Sequence, residues 1–179
     1  MRNARKSSPM GTSHQAPGFD GHPQVHDESV LTREQLVWLL NEDLAREYQT
    51  IIAYVVFSQV LKGPEYMTIA EELEKHAHEE LQHAITIAQQ IDYLGGEPTV
   101  TPIPVQTSSE PEEMLRLDLE NEMTTIRNYR ERVKQCEALG EYALAEHIRE
   151  ILVHEQEHLI DLATALGEDV PDVSAGQSF

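Results

Sequence analysis

Residues 153–162 read VHEQEHLIDL. Inside this stretch, His154-Glu155-Gln156-Glu157-His158 spells H-E-x-x-H, two imidazoles one helical turn apart with a carboxylate between them. In one class of peptidases that string holds zinc and the Glu serves as base. Such a site needs a third ligand downstream, and only 21 residues, mostly polar, follow His158. The stretch also has a partner elsewhere in the chain, and the partner shares only part of the string.

The partner lies 75 positions upstream. Glu80 and His83 stand to Glu155 and His158 as Glu47 and Tyr54 stand to Glu122 and Tyr129, all at the same offset. Leu44 and Leu119, Ile51 and Ile126, Ala70 and Ala145, and Glu71 and Glu146 keep it too. What repeats is E-x6-Y followed by E-x-x-H. The first His of the string does not repeat, because Glu79 stands where the second copy has His154. The shared unit is therefore Glu plus His, duplicated, and the peptidase reading is a coincidence of spelling.

Four long helical patterns carry this repeat. Thr32-Arg33-Glu34-Gln35 fits a capping box and opens the first, which runs to about Leu61 before Lys62-Gly63-Pro64. The second runs from about Glu65 to Leu94 and stops at Gly95-Gly96. The third starts after Ser109 with Pro111 in its first turn and ends near Gly140. The fourth ends at Leu166 with Gly167 as its cap. No stretch reads as a strand. The short links predict two antiparallel hairpins. Between them lies GGEPTVTPIPVQTSS, residues 95–109. Extended, such a link reaches roughly 50 Å at ~3.3 Å per residue. A helix of ~30 residues is ~45 Å long. The link can therefore travel the length of the bundle, and its Val and Ile predict that it packs there. The expected fold is all-α: a four-helix bundle over residues 30–167, two hairpins joined by one long crossover. Residues 1–29 read as a disordered tail and 168–179 as a C-terminal tail too short and polar for a fifth long helix.

Each helix has an apolar seam interrupted near its middle by a carboxylate. The seams are Leu36, Leu40, Leu44, Glu47, Ile51, Tyr54, Ser58 and Leu61; Ile69, Leu73, His76, Glu80, His83, Ile87, Ile91 and Leu94; Leu115, Leu119, Glu122, Ile126, Tyr129, Val133 and Cys136; and Leu144, Ile148, Ile151, Glu155, His158, Leu162 and Leu166. Four Glu and two His thus meet in the core, where even one uncompensated carboxylate costs several kcal/mol. No Arg or Lys falls on these seams to neutralise them. Two divalent cations supply the balancing charge, and a set of carboxylates and imidazoles without thiolate favours iron or manganese.

These residues resemble the ferritin-like superfamily, in particular bacterioferritins and the rubrerythrin-related erythrins. The likeness covers residues 32–166 and is strongest in the metal motif. It implies Glu47 and Glu122 as terminal ligands, Glu80 and Glu155 as bridges, and His83 and His158 as one cap per metal. The expected cofactor is two Fe ions, with Mn or Zn able to take the same positions. Tyr54 and Tyr129 would sit beside the site, either hydrogen-bonding a ligand or supplying an electron, or else serving as core residues with satisfied hydroxyls. The likeness also shows departures. Leu81 stands where bacterioferritins carry a haem-ligating Met, so haem is not expected. The fifth helix and any C-x-x-C pair are missing.

The implied activity is a ferroxidase oxidising Fe(II) to Fe(III) with O2 or H2O2 at a dinuclear site within the subunit, for iron storage or detoxification. A rubrerythrin-like peroxide reductase or O2-activating oxidase would use the same site. A DNA-protecting shell is the third reading, and its only support is Arg2, Arg5 and Lys6 in a segment without acids. Thirteen basic against 32 acidic residues give a net charge of -19, which repels nucleic acid and draws cations. A homo-oligomer, from dimer to dodecamer or larger shell, is expected. So is a cytoplasmic location, since the single Cys136 implies no disulfide and no apolar run could span a bilayer. Of the remaining histidines, His76 is a candidate to orient a ligand, whereas His78, His147 and His154 are expected on exposed faces.

Overall fold

The computed structural model describes residues 31–174. Four helices fill that span, α1 (Arg33–Val60), α2 (Met67–Tyr93), α3 (Pro111–Ala138) and α4 (Tyr142–Leu166), and no strand occurs among the described residues. The N-terminal segment expected to be a tail lies outside them. A short 3-10 turn, Pro64–Tyr66, precedes α2, so that helix starts two residues later than the sequence pattern indicated.

The helix ends follow from local chemistry. Thr32 caps α1 through both arms of a capping box with Gln35. Pro111 occupies the first turn of α3, where its missing N–H has no intrahelical partner to lose. The cap itself is Glu110, and no side chain satisfies it; the Ser109 cap expected from the sequence is displaced by one residue. Gly167 ends α4 at φ 69, a left-handed conformation that costs Gly little.

α1 packs on α2 and α3 on α4, and α1–α3 and α2–α4 contacts join the two hairpins. Cross-helix pairs fix the directions. Asp43 meets Arg132 while Tyr54 meets Glu122, so α1 and α3 are antiparallel. His76 meets Asp161 while His83 meets His154, so α2 and α4 are antiparallel as well.

The crossover lies along α1, as its apolar residues indicated. Thr99 N–H donates to Asn41 Oδ1 (2.6 Å), and Asn41 Nδ2 returns a bond to the Glu97 carbonyl (3.2 Å). Farther on, Ile103 N–H donates to the Ala45 carbonyl (3.0 Å) and Gln49 Nε2 to the Pro104 carbonyl (3.1 Å). Gly96 begins this path against Val37, whose side chain a Cβ at that position would strike. After α4 the chain continues as coil, and part of it packs: Val173 is buried and its carbonyl accepts from Arg127 Nε (3.1 Å).

Two apolar clusters make the core. One gathers Phe57, Leu61, Leu73, Leu115, Ile126 and Leu162, the other Leu40, Leu44, Ile87, Ile91, Leu144 and Ile148. The interrupting carboxylates of the four seams form a polar layer at mid-bundle.

Candidate metal centre

Glu47 on α1, Glu80 and His83 on α2, Glu122 on α3, and Glu155 and His158 on α4 come together at mid-bundle, none more than 3 % exposed. They fall into two groups of four, Glu47-Glu80-His83-Glu155 and Glu80-Glu122-Glu155-His158. Glu80 and Glu155 belong to both. The i, i+3 spacing on α2 and α4 puts each Glu and its His on one face, and the antiparallel crossing aligns the two faces.

Each imidazole turns Nδ1 inward. His83 Nδ1 lies 3.0 Å from Glu80 Oε2, 3.1 Å from Glu155 Oε1 and 3.5 Å from Glu47 Oε2. His158 Nδ1 lies 3.0 Å from Glu80 Oε1, 3.8 Å from Glu155 Oε2 and 4.0 Å from Glu122 Oε1. Two ligands of one ion, each ~2.1 Å from it, stand about 3.0–3.4 Å apart. Three of these six distances fall in that range and the other three lie between 3.5 and 4.0 Å. Apart from the His83 Nδ1–Glu80 Oε2 pair the donor atoms leave one another unsatisfied: Glu47 Oε2, Glu80 Oε1, Glu122 Oε2, both oxygens of Glu155, and His158 Nδ1 are buried without a hydrogen-bond partner. So many orphaned ligand-type atoms facing one point fit a pair of divalent cations.

The electrostatics agree. Burial, then the Glu80 charge, raises Glu47 well above the usual carboxylate range, and burial with the Glu155 charge does the same to Glu122. Glu155 is pushed up to about 8 by burial and by Glu80 and Glu47. At Glu80 the adjoining His158 and His83 imidazoles outweigh burial and hold the carboxyl low. His158 rises to about 9 because Glu80 and Glu122 outweigh its burial, and His83 rises further through Glu155, Glu47 and Glu80. Without cations these groups keep their charges only by sharing protons; divalent cations take the protons' place.

Both tyrosines reach the cluster, each crossing to the other hairpin. Tyr54 O–H donates to Glu122 Oε1 and Tyr129 O–H to Glu47 Oε1. Burial and these carboxylates raise both phenols well above their ordinary range, so they stay protonated as donors.

A surrounding layer was only partly foreseen. His158 Nε2 pairs with Glu79 Oε2 (2.8 Å), and His83 Nε2 with His154 Nδ1 (3.0 Å). With Nδ1 of each imidazole facing the cluster, its Nε2–H donates outward. Glu79 and His154 are the repeat-equivalent positions. His154 is exposed, as expected, yet its ring stacks on His83 at 5.3 Å and takes part in the site. The expectation that no Arg or Lys lines the core needs correction. Arg132 is buried on α3 and grips Asp43 through Nε (2.6 Å) and Nη2 (3.1 Å), because it faces α1 beside the seam residue Val133. Asp118, four residues before Glu122, is fully buried with neither oxygen partnered, and burial raises it well above its usual range. Asp43 and Asp118 share the 75-residue offset, which is the signal that would have found them.

His76 is buried, stacked on His158 at 4.0 Å, and pushed down to about 4 by burial and by His158. His78 is exposed and His147 partly so. Leu81 is 46 % exposed on the outer face of α2. Cys136 is buried in the second apolar cluster, which pushes its thiol up to about 11. No helix among the described residues is long and apolar enough to cross a membrane.

Comparison with known proteins agrees with this architecture. The chain is similar to bacterioferritin of Brucella melitensis, 26% identical over 137 residues, covering 73% of this chain and 85% of the relative. Among solved structures it resembles a ferritin-like, diiron-carboxylate protein from Bacillus anthracis (TM-score 0.72, 30% identity, 75% of this chain and 96% of that one). It also resembles a dodecameric thioferritin, a bacterioferritin-related protein from Bacteroides fragilis (TM-score 0.71, 26% identity, 76% and 87%). The family model of the ferritin-like domain matches residues 38–169, most of the chain, and the protein belongs to that family.

Proposed function

We propose that the chain is a ferroxidase. It binds two Fe(II) as substrate, one in each four-residue group, and oxidises both to Fe(III) for storage or detoxification. With peroxide the balance is two Fe(II), one H2O2 and two protons giving two Fe(III) and two waters; with O2 the same two electrons and two protons give H2O2. The observation that carries the reading is the sharing of Glu80 and Glu155 between both groups. A shared carboxylate holds two ions close enough to give up two electrons together, with no one-electron product released. Hard oxygen donors favour Fe(III) over Fe(II) and so drive the oxidation. Tyr54 and Tyr129 orient Glu122 and Glu47, one O–H on each. Retention of haem is not part of this reading, since Leu81 offers no axial sulfur.

The chain's relatives support storage over a closed redox enzyme: a bacterioferritin and a dodecameric thioferritin are among them. An oligomer of this chain would be built on α1, whose outer face exposes Ile52, Val55, Val56 and Val60. The charge of -19 suits a cytoplasmic shell that collects cations rather than one that coats DNA.

Aerobic addition of Fe(II), followed by ferric absorbance and by iron per chain after desalting, tests this. Storage is expected to leave far more than two irons per chain, with oxidation lost in Glu80→Gln. Retention of only a pair, turning over with an external electron donor, would replace the reading with a peroxide reductase or oxidase.

A further inference from the structure

We propose that Glu72, His76 and Asp161 form a second, mononuclear site for a divalent cation, outside the pair. Each offers a ligand atom, and these atoms lie within 4.8 Å of one another. His76 Nε2 stands 3.3 Å from Asp161 Oδ2, within the spacing of two ligands on a common ion. Glu72 and His76 are i, i+4 on α2, on one face, and Asp161 comes from α4. A cavity of about 190 Å³ opens between Glu72 and Asp161, so solvent cations reach the carboxylates directly.

The repeat supplies an internal control. The equivalents of Glu72, His76 and Asp161 in the other half are His147, Ile151 and Thr86. Ile151 is buried and fills its place in the core, so the fold is satisfied by an aliphatic side chain there. A 3 % exposed imidazole in its stead, with Nε2 turned to Asp161 at the cavity, is not what apolar packing alone selects. Lys75 now shares Glu72, 2.6 Å away, but it is exposed and long enough to release it. One imidazole and two carboxylates match Fe(II), Co(II) or Zn(II) rather than calcium.

The position gives the site a use. His76 stacks on His158 at 4.0 Å, so a cation held by Glu72, His76 and Asp161 waits one ring away from the dinuclear cluster, on the solvent side. This delivery role rests on the ferroxidase reading; the binding itself does not.

The test uses the full chain and Co(II), whose visible spectrum and elemental count report binding without oxidation. Three ions per chain are expected in the wild type and two in Asp161→Asn and in Glu72→Gln, both exposed enough to spare the fold. Glu80→Gln should lose the pair and keep the third. Two ions in the wild type, or a third that survives both substitutions, overturns the site. A single ion removed by Asp161→Asn would instead sink the dinuclear reading and leave this one standing. For delivery, Asp161→Asn should slow oxidation several-fold at limiting Fe(II) and leave the saturated rate unchanged; equal rates at limiting Fe(II) would remove that role.

Discussion

Four residues before Glu47, Asp43 is clamped by Arg132; four residues before Glu122, Asp118 sits at the equivalent place with both oxygens unpartnered. The difference has a simple origin, because the position equivalent to Arg132 is Phe57, buried in the first apolar cluster. The outer supports differ in the same way. His158 leans on a carboxylate, Glu79, while His83 leans on another imidazole, His154. Yet the six inward residues and the two tyrosines match position for position. The two hairpins are thus equal where they face the cluster and unequal around it. Duplication fixed the shared centre, and divergence reached only what lies behind it.

The largest effect is expected where both halves depend on one residue. Glu80→Gln should remove both metals together and lower Fe(II) oxidation by on the order of 100-fold or more. Loss of a single metal would show that the halves hold their ions separately. Next comes the charged pair. Arg132→Met leaves Asp43 buried and alone, at a cost of about 3–5 kcal/mol in urea unfolding. Asp118→Asn, in the other half, removes a carboxyl that has no partner and should be neutral or stabilising. Its pH behaviour has a definite sign. Burial raises Asp118 in the folded chain, so the fold holds this proton more tightly than the unfolded chain does. Stability therefore falls as pH rises above about 4, and Asn at this position should flatten that slope. A steeper slope in the variant would contradict it.

The outer supports should separate the two metals. A carboxylate at Nε2 holds and polarises His158 more strongly than an imidazole holds His83, so Glu79→Gln should weaken one of the two mid-bundle Co(II) binding steps by ~10–100-fold. His154→Gln should weaken the other step less. Equal losses would mean that the imbalance around the centre does not reach the ions. The smallest effects belong to the tyrosines. Tyr54→Phe and Tyr129→Phe each remove one hydrogen bond to Glu122 or Glu47, about 1 kcal/mol by metal titration. Matching losses are expected, since these positions are symmetric.

Much of this was legible in the sequence because two periods coincide. The helical period put Glu47, Glu80, Glu122 and Glu155 on apolar seams, and the 75-residue offset paired them. The crossover's length and apolar residues indicated that it runs along the bundle; that it lies on α1 follows from Asn41, Ala45 and Gln49, which hydrogen-bond its backbone. Arg132 was missed because it neighbours the seam rather than lying on it, and a seam read for apolar residues passes over a buried ion pair. Glu79 and His154 looked like a mismatch in the repeat. Only the antiparallel crossing of α2 and α4 shows that each reaches the opposite imidazole. The cap of α3 was misplaced since Ser109 is the stronger capping residue in isolation, yet Glu110 takes the position.

The most direct measurement is a crystal structure of the Co(II)-loaded chain with anomalous scattering. Two peaks are expected at mid-bundle, one bounded by Glu47 and His83, the other by Glu122 and His158, with Glu80 and Glu155 touching both. A single peak there, or none with Glu80 and Glu155 turned to bulk water, would contradict the paired centre.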